Sequence, residues 1–211
     1  MRRKLSLSVL AGAWLLATGA HAGPVPSCFG MDATLVGSGK IKGTPGDDVI
    51  VGSSGSDSIN GAGGSDRICA LEGEDSIAAK NGTARVDGGP GEDRIRVKAG
   101  GSGGNMVFGG DDEDTISFDS GGGGGNTIDG GAGGDKMKLK NGGSDVVMGG
   151  DGDDEIKAGS KGAGSITISG DEGNDEISFK SGGGGNSVVG GGGTDWCKVD
   201  DATNVDCEIL D

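Results

Sequence analysis

From residue 43 onward the chain places an aliphatic residue at every ninth position, between polar residues and glycines. The series is Ile50, Ile59, Ile68, Ile77, Val86 and Ile95. The run around each is too short for a helix. It reads as a strand of about three residues, whose period of two sends the aliphatic inward and its neighbours outward. Beyond residue 96 the spacing loosens, but two series continue. One runs Ile59, Ile77, Ile95, Ile116, Met137, Ile156, Ile177 and Cys197. The other runs Ile50, Ile68, Val86, Val107, Ile128, Val147, Ile168 and Val188. The pattern predicts coils of two blocks each, stacked so that two parallel sheets enclose two apolar ladders. Val97, Phe118, Leu139, Ala158, Phe179 and Val199 lie two residues beyond the first ladder and are expected to point inward too. The predicted fold class is all-β: a right-handed parallel β-roll, or β-solenoid, with two short parallel sheets.

The polar positions repeat as strictly as the apolar ones. Six gapless blocks run from GTPGDDVIV (43–51) to GGPGEDRIR (88–96), all with glycine at position 4. Five have aspartate at position 6: Asp48, Asp57, Asp66, Asp75 and Asp93; the sixth has Ala84 there. TLVGSGKIK (34–42) is a degenerate block in the same phase. Consensus-like blocks return around Asp114, Asp135, Asp154, Asp175 and Asp195, with extra residues confined to the alternate blocks, as in GGSGGN (100–105) and GGGGGN (121–126). Asp112 takes the place of a position-4 glycine. Glycines at positions 1, 2 and 4 permit the positive φ and the crowding of a tight turn.

Composition sharpens the problem. With 51 glycines, no tyrosine and few aromatics, a conventional core is hard to build, and disorder would be the default without the repeat. Each buried aliphatic contributes about 1.5–3 kcal/mol, against a backbone ordering cost of about 1–2 kcal/mol per residue. Something else must stabilise the turns. The opening MRRK, the apolar run to Ala20 and the Ala20-His21-Ala22 tripeptide read as a secretory signal over 1–22, cleaved after Ala22. The chain beyond it carries 33 acidic and 15 basic residues, a net charge of −18. Such an excess disfavours nucleic acid and anionic membranes and favours cations. The expected product is a secreted, extracellular monomer, not an integral membrane protein after signal cleavage. Residues 23–42 and 199–211 are expected to cap a roll spanning 43–198.

Stacking brings Asp57, Asp75, Asp93, Asp114, Asp135, Asp154, Asp175 and Asp195 into one row, because they come from alternate blocks. Two carboxylates about 4 Å apart repel by about 4 kcal/mol at an effective dielectric of about 20. A divalent cation between turns reverses that sign. Carboxylates and backbone carbonyls are hard oxygen donors, and many of them on flexible turns suit Ca2+ better than octahedral Mg2+. Zinc or copper is disfavoured, since the single histidine, His21, lies in the signal.

These residues resemble the RTX (repeats-in-toxin) calcium-binding β-roll family, whose nonapeptide is GGxGxDxUx, over about residues 34–198. The opening CFGMDATLVGSGKIKGTPGDDVIVG is also similar to small secreted bacterial members. The resemblance implies several calcium ions held between turns of one side by the position-6 aspartates and backbone carbonyls. On this sequence those are Asp48, Asp57, Asp66, Asp75, Asp93, Asp114, Asp135, Asp154, Asp175 and Asp195. Ala84 and Asp112 depart from the pattern. So does the N-terminal signal, since many members are exported through a C-terminal one.

The alternate side offers Asp48 and Asp66 as a pair, then Asn105, Asn126, Asp145 and Asn186, and few or no ions are expected there. Four cysteines in an exported chain suggest disulfides, for which Cys28–Cys69 and Cys197–Cys207 are favoured, with Cys197 as a buried free thiol the alternative. Outward positions of one sheet gather Arg94, Arg96, Lys98, Lys136, Lys138, Lys140, Lys157, Lys180 and Lys198. This stripe is either a solvated face or a site for anionic polysaccharide or cell envelope. Without histidine or tyrosine no familiar catalytic set can form, so a calcium-dependent polysaccharide lyase is disfavoured against a non-catalytic module. The irregular, acidic row at position 5 argues against ice binding.

Overall fold

A computed structural model describes residues 24–160, 164–200 and 204–209. The expected signal over 1–22 lies outside the described residues. Every regular element among them is a strand. An antiparallel hairpin joins Ser27–Cys28 to Met31–Asp32. The remaining strands alternate between two parallel sheets of ten strands each. The first sheet runs in chain order from Leu35–Val36 to Asn204–Asp206, and the second from Lys40–Lys42 to Glu208–Ile209. The chain is a parallel β-solenoid of about eight turns, as the period predicts.

Register follows the apolar ladders. In the second sheet Ile59 pairs with Ile77, Ile77 with Ile95, Ile95 with Ile116, Ile116 with Met137, and so on to Cys197. In the first sheet the ladder runs from Leu35 through Ile50, Ile68, Val86 and Val107 to Val205. The same registers stack Val97, Phe118, Leu139, Ala158, Phe179 and Val199. The two ladders and this third rank form one continuous core between the sheets. A one-residue slip of any coil would turn its core residues outward, so the ladders fix the register that aligns the turns.

The strands extend into both segments expected as caps. Leu35–Val36 and Lys40–Lys42 form the first rungs, in phase with the degenerate block 34–42. The hairpin seats on the outer face of the first sheet, where Cys28, Val49 and Val51 are buried together and Phe29 stacks on Phe108 with ring centroids 6.3 Å apart. Both favoured disulfides are present: Cys28–Cys69 and Cys197–Cys207, with Cα–Cα distances of 5.7 and 6.0 Å. Cys197 therefore fills its inward position as half of a disulfide, not as a free thiol.

Candidate metal centre

The turns joining the sheets line up as the strands do. On one side they carry the row Asp57, Asp75, Asp93, Asp114, Asp135, Asp154, Asp175 and Asp195, all buried. Each aspartate reaches across to the turn before it. Oδ1 of Asp75 accepts the N–H of Asp57 at 2.6 Å, Oδ1 of Asp93 that of Asp75 at 2.8 Å, and Oδ1 of Asp114 that of Asp93 at 2.7 Å. Asp135, Asp154, Asp175 and Asp195 continue the chain at 2.7–3.0 Å. The row starts at Gly39, whose N–H donates to Asp57.

The second carboxylate oxygen is left over. Oδ2 of Asp75, Asp93, Asp114, Asp135, Asp154 and Asp175 is buried without a hydrogen-bond partner, and so is that of Asp66 on the opposite side. A buried acceptor without a donor is costly, more so when charged. Burial accordingly raises these carboxyls, and neighbouring aspartates add to the effect while the backbone N–H opposes it. Asp135 and Asp175 are pushed up to about 6, Asp93 and Asp154 to about 7, and Asp114 to about 8. Asp66 is raised to about 6 by the same causes.

Backbone oxygens complete the donor set. The carbonyls of positions 2 and 4 project from each turn towards the next. A Cβ on Gly110 would overlap the Gly89 oxygen, and one on Gly133 would overlap the Asp112 oxygen. Among the described residues no three acidic, histidine or cysteine side chains converge on one point. An ion in these gaps must therefore take many of its ligands from the backbone. Oxygen-only donors with carboxylates left unsatisfied fit a hard divalent cation of the Ca2+ type.

The glycines divide the labour more finely than the sequence reading implies. On the Asp75–Asp195 side positions 2 and 4 do hold positive φ, as at Gly89 and Gly91, whereas Gly46 and Gly55, at position 4 of the first two blocks, do not. Position 1 does not; a side chain there would crowd the aspartate of its own block and the carbonyl of the next coil, although Ala70 holds this position beside Asp75. A Cβ on Gly52 would come within 2.7 Å of Asp57 Oδ2. Asp112 keeps the position-4 conformation with φ 77°, so its carbonyl stays in place despite the substitution.

The ten sequence-designated aspartates are not equivalent. Asp57 and Asp48 lie in their rows, but Oδ2 of each is already hydrogen-bonded. Asp57 accepts from the N–H and hydroxyl of Ser53, and Asp48 from those of Thr44. On the alternate side Asp48 and Asp66 are adjacent, the Asp48 N–H donating to Asp66 Oδ1 at 3.2 Å. There the row then changes chemistry. The Ala84 N–H donates to Asn105 Oδ1, and the Asn105 amide nitrogen donates to both Ser102 O and Asn126 Oδ1. Asn126 repeats this with Gly123 O and Asp145 Oδ1. An amide nitrogen here bridges a turn carbonyl and the neighbouring side-chain oxygen, the contacts a cation would otherwise make. Ile166 stands at the next position, its N–H donating to Asn186 Oδ1. The sequence showed these asparagines; it could not show which way their amides point.

A family model of the RTX calcium-binding nonapeptide repeat matches residues 42–77 and 141–160, in four copies. No curated protein and no solved structure matches the chain. The coils between and beyond the two matched segments share their register, their inward ladders and their row of aspartates. The blocks within residues 42–77 and 141–160 are thus matched as RTX-type calcium-binding repeats, and the other coils are built on the same ladders and aspartate row.

Proposed function

We propose that the protein is a non-catalytic extracellular module that binds several calcium ions between the turns of its Asp57–Asp195 side, and that these ions hold the solenoid together. The observation that carries this reading is the row of buried Oδ2 atoms without partners. Six gaps, from Asp75 to Asp195, have a position-6 carboxylate on both sides and take an ion each. The gap between Asp57 and Asp75 binds more weakly, because Ser53 already satisfies Asp57. Asp48 and Asp66 form one further candidate gap. The amide ladder from Asn105 to Asp145 takes none.

The core cannot carry the fold alone in a chain with 51 glycines, and an ion converts the repulsion within the row into attraction. The reading of the export signal and the two disulfides both favour an oxidising, calcium-rich exterior. Equilibrium dialysis with elemental analysis tests the stoichiometry. About six to eight ions per chain are expected, falling by about four when Asp114 and Asp154 are both changed to alanine, since each borders two gaps. A stoichiometry of zero or one, or one unaffected by those substitutions, would contradict the proposal.

A further inference from the structure

The cations of this acidic chain are segregated. Of the 15 Lys and Arg residues beyond the signal, 12 lie in strands of the second sheet, and all 12 are exposed on its outer face. The registers arrange them in rows along the solenoid. Arg96, Lys138, Lys157 and Lys198 share one row, and Lys98, Lys140 and Lys180 share the next. The described acids among them are few: Asp119, Glu155 and Glu176, with Glu155 paired to Lys157. A solvated face that merely balanced nearby acids would not need nearly every cation on one side.

The second row has a notch. Gly159, without a side chain, stands between Lys140 and Lys180, and a register shift after Leu139 accompanies it. The result is a cleft of about 280 Å³ lined by Leu139, Asn141, Gly159 and Ser160 and flanked by both lysines. With rungs about 4.8 Å apart, the lysines sit about 10 Å apart across it. At the far end of the same face Trp196 is 44 % exposed, one of the few large apolar groups left to solvent.

We infer that this face is a docking surface for a linear acidic polysaccharide, with the Lys140–Gly159–Lys180 notch as its principal contact. The inference rests on the calcium-held fold, which keeps the rows in register. A thin polyanion can lie along the stripe and keep clear of the acidic turns, whereas a duplex or a charged bilayer would meet both. A notch floored by the bare backbone at Gly159 and rimmed by two lysines fits one acidic sugar: its ring lies over Gly159 and its anionic group meets a lysine. An exposed indole offers a second sugar a flat apolar platform.

The test uses residues 23–211 with both disulfides at saturating calcium, each variant first shown by circular dichroism to be folded. Failure of the calcium reading is seen separately, as a β spectrum that persists after the calcium is removed by chelation. Titration calorimetry with carboxymethyl-dextran, a soluble polyanion, is compared with neutral dextran, anionic phospholipid vesicles and duplex DNA. Only carboxymethyl-dextran is expected to bind well. Lys140→Ser with Lys180→Ser should weaken it by about tenfold. Lys140→Arg with Lys180→Arg should keep it, and Arg67→Ser with Arg85→Ser, an equal loss of charge on the other sheet, should change it by less than about twofold. Absence of binding, equal weakening by both serine pairs, equal binding of neutral dextran, or tighter binding of vesicles or DNA would each overturn the inference.

Discussion

Replacing Asp114 with asparagine is expected to move the ion-free and calcium-loaded protein in opposite directions. Asp114 Oδ1 accepts the Asp93 N–H at 2.7 Å, and its Oδ2 is buried without a partner. Asparagine keeps the first contact and removes the charge from the second. Burial, then the carboxylates of Asp135, Asp93 and Asp112, push the Asp114 carboxyl up to about 8 from 3.8. Holding it at neutral pH costs the ion-free fold at most about 4 kcal/mol by proton linkage. Solvent screening at a turn lowers this to about 2 kcal/mol, which Asp114→Asn should return as stability. With calcium bound the sign reverses, because the same carboxylate faces two gaps, towards Asp93 and towards Asp135. Weakening each ion by about tenfold removes about 1.4 kcal/mol per ion, or about 3 kcal/mol in all. Urea unfolding followed by circular dichroism, in excess chelator and at saturating calcium, measures both. Where the ion-free chain is already unfolded, osmolyte-induced folding replaces urea. Equal destabilisation in the two conditions would refute the reasoning, since it would make Asp114 a hydrogen-bonding residue and nothing more.

Two further outcomes follow from the same turns. The raised carboxyls hold protons in the fold that the unfolded chain has released. Ion-free stability should therefore be greatest below about pH 4 and fall as pH rises through the range from about 6 to about 8 spanned by Asp66, Asp93, Asp114, Asp135, Asp154 and Asp175. Saturating calcium, which competes with those protons, should reverse the trend; metal-stripped protein that loses its β signal on acidification across this range would contradict the assignment. Gly109→Ala forces a methyl group into Asp114 Oδ2 and the Gly130 carbonyl and should cost about 3 kcal/mol or more at saturating calcium, whereas Gly55→Ala, with nothing within 4 Å and no positive φ, should stay within about 0.5 kcal/mol. Similar costs for the two in thermal unfolding would show that the position-1 glycines are not set by the aspartates.

The ladders were legible in the sequence because a strand exposes its period directly. Ile116 over Met137, or Ile128 over Val147, can be aligned by counting to the next aspartate, and the observed registers are those alignments. Both disulfides were legible for a related reason: each joins cysteines that the coil count brings close together near one end. What counting cannot reach is the backbone. Every residue has a carbonyl, so the donors at positions 2 and 4 leave no residue-type signature beyond the glycines that make room for them. Nor could counting separate Asp57 from Asp75. The difference lies in Ser53, whose hydroxyl and N–H turn back onto Asp57 Oδ2, while the matching Leu71 has no hydroxyl. The position-1 glycines look like turn residues by composition, yet their φ is ordinary. The carboxylate of their own block and the carbonyl of the next coil, both within reach of a Cβ, explain them. The notch beside Gly159 depends on a register shift that no repeat count reveals.

The most direct test of the calcium-held solenoid is a far-UV circular dichroism titration of residues 23–211, disulfides intact, with calcium added back after chelation. The expected result is a coil spectrum turning to β with a midpoint at about 10⁻⁴–10⁻³ M free calcium, the range of extracellular modules, because ion binding and folding are then one event. A β spectrum that persists in protein shown by elemental analysis to be free of calcium would contradict it. The apolar ladders and the two disulfides would then suffice to hold the coils together.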